Sequence, residues 1–104
     1  MNPTATRIQE KLTQTVNQMS DRLNGDMNTC FEHNMENPEG FSECITKKMH
    51  TYEDFAKRIE LFNLFGIRFT EKARTRKEDE SASFERLGGI LENSIDSLTK
   101  NMNN

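Results

Sequence analysis

The chain has 104 residues, of which 33% are hydrophobic and 30% charged. That allows one domain with a thin core, so a covalent staple, an oligomer or a partner is expected. A net charge of −3 excludes a polybasic nucleic-acid binder, and no run reaches the ~18 apolar residues of a membrane span. One Val and no Trp argue against a β-sandwich or barrel.

The opening stretch MNPTATRIQEKLTQT has no apolar secretory core. A chain that opens on Met1 is expected to carry no removed leader. Pro3 and Thr4 sit where a helix start belongs. From there Leu12, Val16, Met19, Leu23, Met27 and Cys30 recur at steps of three or four, close to a coiled-coil seam. This pattern predicts a first helix over about residues 5–34, its last third weakened by Gly25 and the Asn and Asp around it.

The clearest break is Asn34-Met35-Glu36-Asn37-Pro38-Glu39-Gly40. Asn37 before Pro38 is good chemistry for a helix start. A turn this short makes the flanking helices antiparallel neighbours. The second helix, predicted over about residues 38–76, carries Phe41, Ile45, Met49, Tyr52 and Ile59 at helical spacing. Then the pattern thickens. Ile59, Leu61, Phe62, Leu64, Phe65, Ile67 and Phe69 place apolar side chains all round the helix. A helix apolar on every side must be surrounded, and these seven residues are the predicted partner-binding segment.

Residues 68–77 are strongly basic, and Glu78-Asp79-Glu80 reverses the sign. A solvated helical stretch with internal ion pairs accounts for this, as does a surface for an acidic partner or headgroup. Ser81 and Ser83 offer caps for a third, amphipathic helix at about residues 81–100, with Phe84, Leu87, Leu91, Ile95 and Leu98 on its stripe. Gly88-Gly89 interrupts it, and the Asn-rich end is expected to fray. The predicted organisation is all-α: a helical hairpin over 1–75, then a charged linker and C-terminal helix over 76–104.

Chemistry-bearing residues are few. Cys30 and His33 share a helix face, but no orienting group or pocket is evident, so no catalytic residues and no enzyme are expected. Cys30, His33, Cys44 and His50 form a formal zinc set; positions 44 and 50, about 600° apart on a helix, face away from each other. No metal site and no cofactor are expected. The midpoint of Cys30 and Cys44 is residue 37, inside the turn, which sets the two level on facing helices. A disulfide needs that arrangement; two free thiols at seam positions fit the spacing as well.

The stretch Cys30-Phe31-Glu32-His33-Asn34, with Ser42-Glu43-Cys44-Ile45-Thr46-Lys47-Lys48 and Tyr52, resembles the small Tim chaperones of the mitochondrial intermembrane space. That family has a helical hairpin with two facing C-x3-C motifs and an aromatic four residues after the last Cys. Cys30 matches the first Cys, Cys44 the third and Tyr52 one turn after the fourth, while Asn34 and Lys48 stand where the second and fourth Cys belong. The family pairs first with fourth and second with third. The resemblance covers about half of the chain and implies a hairpin that assembles with others and holds apolar segments of membrane proteins. The dense 59–69 segment suits one permanent interface better than varied clients. The leading expectation is therefore a non-enzymatic accessory subunit of a larger assembly, homo- or hetero-oligomeric, in the intermembrane space or at the inner membrane. The alternatives are a small Tim-like chaperone and a cytoplasmic coiled-coil module.

Overall fold

A computed structural model describes residues 2–103. Three helices account for nearly all of it: α1, Pro3–His33; α2, Pro38–Thr75; and α3, Ser81–Asn103. Each boundary has a local cause. The Asn2 side chain accepts from the backbone N–H of Thr4 at 2.9 Å and of Ala5 at 3.1 Å, with Pro3 at the first helical position. Asn37 does the same for α2 through Gly40, ahead of Pro38. These bonds satisfy N–H groups that a helix start leaves orphaned. At the far end of α2, Arg76 turns extended and its guanidinium donates to the Ala73 carbonyl at 2.8 Å. The charge reversal falls at this corner. Lys72 and Arg74 lie in the last turn of α2, and Glu78–Glu80 form a single 3₁₀ turn before α3. Both signs complement the helix dipoles.

α1 and α2 form the predicted antiparallel hairpin, about 46 Å and 57 Å long at 1.5 Å per residue. α3 does not trail away. It folds back along α2 and runs parallel to α1, joined to it by four polar rungs. Thr4 donates to Glu85 at 2.6 Å, Arg7 to Glu92 at 3.1 Å and Lys11 to Asp96 at 2.7 Å; the Thr15 and Thr99 hydroxyls share a bond at 2.8 Å. The predicted charged linker, from 76 to the start of α3, is a corner at Arg76 and Lys77 followed by the 3₁₀ turn, and the core spans it from Phe69 to Phe84. α3 also runs further than expected, to Asn103, because Met102 is buried.

The molecule is a rod of 64 × 19 × 15 Å with a radius of gyration of 18.1 Å, against about 13 Å for a compact chain of this length. Its core lies at the end where the termini of all three helices meet. Ala5, Ile8, Leu12, Phe69, Phe84 and Ile95 pack together there, with Phe62, Ala73 and Leu91 against them. Two glycines set the helix spacing. A Cβ on Gly66 would meet Ile8 at 3.3 Å; one on Gly88 would meet Thr4 at 2.5 Å and Phe69 at 2.8 Å. The Gly in the middle of α3, a loss to helix propensity, is what lets α3 close on α1 and α2.

Candidate functional site: an apolar face on α2 and α3

The fold divides the predicted partner-binding segment. Ile59 and Phe69 are buried in the chain's own core and Phe62 is half-buried against it. These three are therefore not free for a partner: α3 covers Phe62 and Phe69, and α1 lies against Ile59. Leu61, Leu64, Phe65 and Ile67 remain exposed. Ile67 lies on the α1 flank, one turn beyond Asn63 (the flank that Ala56 and Glu60 also line). Phe65 lies on the α3 flank, Leu61 one turn before it, and Leu64 points outward between the flanks, three residues before Ile67.

The sequence pattern placed Leu87 in the core stripe of α3, and the structure turns it outward. Leu87 and Ile90 are exposed beside Phe65. Phe65, Leu87 and Ile90, each 54–58% exposed, make one apolar face over two helices, and Leu61 and Leu64 stand exposed elsewhere on α2. Ile90 was missed from sequence because it lies off the α3 stripe. Its signal was that it adds a third apolar residue to the turn Leu87–Leu91, more than one stripe needs.

Within this face is a groove of about 310 Å³. Phe69, Phe84 and Leu91 form its floor, and Phe65, Leu87 and Ile90 its walls. The floor is fixed. Phe69 and Phe84 stack with ring centroids 4.1 Å apart, and the Arg76 guanidinium covers Phe84 at 5.1 Å. Arg68 and Lys72 stand along the α2 rim. Among the described residues no carboxylate lines the groove. The α3 carboxylates Glu85, Glu92 and Asp96 turn to α1. Glu85 is held below its ordinary 4.5 by bonds from Thr4 and Asn2.

At the other end of the rod, Cys30 and Cys44 sit at disulfide distance, Cα to Cα 5.7 Å, level across the turn. The small Tim resemblance implies other partners for these positions. The Phe31 and Phe41 rings lie 4.5 Å apart beside them. Tyr52 is buried and its phenol donates to Asp26 at 2.6 Å. Among the described residues no group of three or more His, Cys, Asp or Glu side chains is placed to hold a metal. Nor is any described helix long and apolar enough to cross a membrane. Compared with known proteins, the chain matches no family model, no curated protein and no solved structure.

Proposed function

We propose that this chain is a non-enzymatic interaction protein, an accessory subunit that docks its α2–α3 face on a protein partner in a larger assembly. One observation carries the reading: three large apolar side chains, Phe65, Leu87 and Ile90, each more than half exposed, stand together on two adjacent helices. Single exposed apolar residues need no explanation, whereas a contiguous patch marks an interaction surface. The patch consists of Leu, Phe and Ile over a floor of stacked rings. Adaptable carriers of many clients favour flexible, Met-rich surfaces, so a fixed partner suits this face better. The Cys30–Cys44 pair supports an oxidising compartment over the cytosol. With the small Tim resemblance, the compartment proposed is the mitochondrial intermembrane space, at the inner membrane.

Native electrophoresis of mitochondria from cells expressing the chain, with mass spectrometry of the bands, tests this. The endogenous chain is expected in one large assembly. Phe65→Glu with Leu87→Glu is expected to release it as a folded monomer. A wild-type chain that migrates as a monomer overturns the reading.

A further inference from the structure

We infer that the α2–α3 groove receives an acidic amphipathic helix of the partner, its apolar edge between Phe65 and Leu87 and its carboxylates on Arg68 and Lys72. This rests on the reading of the face as a docking surface and names what docks.

Shape comes first. The groove runs along residues 65–72 of α2 and 84–91 of α3, about 10 Å of helix on each side. That length accepts two turns of a third helix, anchored at i, i+3 or i+4, and i+7. The recessed floor takes inserted side chains. A bilayer is met by an apolar face that projects into it, which a walled groove is not.

Charge decides the rest. Arg68 and Lys72 are one turn apart and so share a ridge. Glu71 stands 3.8 Å from Arg68 in an exposed pair, a contact of little worth. Lys72 has no ion-pair partner among the described residues, and Glu80 lines the adjoining hollow that Lys72 also borders. With the α3 acids engaged on α1, the groove presents apolar walls and two cations, with no carboxylate among its described lining residues. A second copy seated symmetrically on this face would set one cationic rim against the other. A partner helix with Glu or Asp along one edge matches both rim and walls, and opposite charges across such a contact fix register and exclude wrong partners.

The test uses the full-length protein with its disulfide intact and two synthetic helices of about 14 residues. Both carry Leu at the anchor positions; one has Glu along the flanking edge and the other Lys. Binding is read by fluorescence anisotropy. The Glu helix is expected to bind at least about tenfold more tightly. Arg68→Glu with Lys72→Glu is expected to reverse the preference, and Phe65→Ala to weaken both helices. Arg68 and Lys72 are exposed, so these variants keep the fold, which circular dichroism checks. Equal binding of the two helices, binding of neither, or an unchanged preference in the double variant overturns the inference. So does flotation with phosphatidylserine-containing vesicles, or dimerisation, that the Phe65→Ala change abolishes. The two readings fail separately. If Phe65→Glu releases the chain from its native assembly and the charge reversal does not, the docking face stands and the acidic helix falls.

Discussion

At the core end of the rod three helices converge, and Ile8 and Ile95 are 1% exposed in one cluster with Phe69 and Phe84. At the turn end two helices run side by side. Asn101 lies beside Arg58, so α3 stops near the middle of α2. Beyond it, from Leu23 to Phe55, Cys30 and Tyr52 are the buried residues. Two helices cannot enclose a core, since each keeps most of its circumference in water. The chain has too few apolar residues to fill both ends. It concentrates them where three helices meet, and holds the other end with a covalent link and the part-buried bond from Tyr52 to Asp26.

If this contrast is right, the largest single loss comes from the core end. Ile95→Ala is expected to cost about 2–5 kcal/mol, transfer and cavity together, and to lower the urea midpoint of the whole chain. Cys30→Ser with Cys44→Ser removes a closure worth about 3 kcal/mol in the chain-entropy model. Its effect is expected to be local. Hydrogen exchange should lose protection over about residues 20–52 and keep it around Ile8 and Ile95. Equal loss along the whole rod would show one cooperative unit and remove the contrast.

Glycine gives a sharper comparison, because one chemical change should have opposite signs at the two ends. Gly25, on the two-helix half of α1, has nothing within 4 Å of an added Cβ. Gly25→Ala is therefore expected to stabilise by roughly 0.5–1 kcal/mol from helix propensity. At Gly88 the same methyl collides with buried Thr4 and Phe69. The overpacking of about 1–3 kcal/mol exceeds the propensity gain, so Gly88→Ala is expected to lower the melting temperature. Two shifts of the same sign would contradict the packing described here.

The hairpin was legible because its signals are local. Asn37-Pro38 marks the turn, and the midpoint of Cys30 and Cys44 marks which residues face each other. The fold-back of α3 was not legible. It depends on Gly88, which reads from sequence as a weak point in a helix, and on pairs such as Lys11 with Asp96 that span most of the chain. Once α3 is placed, the 59–69 segment needs less of a partner than its density suggested, and the exposed face shifts to include Leu87 and Ile90. Ile8, 1% exposed like Ile95, continues the Leu12 ridge back by one turn. A seam started at Leu12 passes over it.

The smallest expected effects are in pH, and they separate the two ends once more. Tyr52 is held above its ordinary 10.0, first by burial and then by its bond to the Asp26 carboxylate, with Arg22 opposing. The folded state thus holds that proton more tightly than the unfolded chain. The stability it contributes is complete below pH 10.0 and is lost as pH rises through the folded value. Tyr52→Phe should remove this alkaline slope and cost about 1 kcal/mol at neutral pH. Glu85 has the opposite sign. Its carboxylate is held below 4.5, so its contribution is complete above 4.5 and is lost on acidification through the lower folded value. Methyl NMR signals of Ile95 and Ile45 report the two ends. Acid is expected to disturb Ile95 first, as the Thr4–Glu85 rung protonates, and alkali to disturb Ile45 first, as Tyr52 ionises beside Asp26. If both signals move together at either extreme, the staple and the core are one structure rather than two.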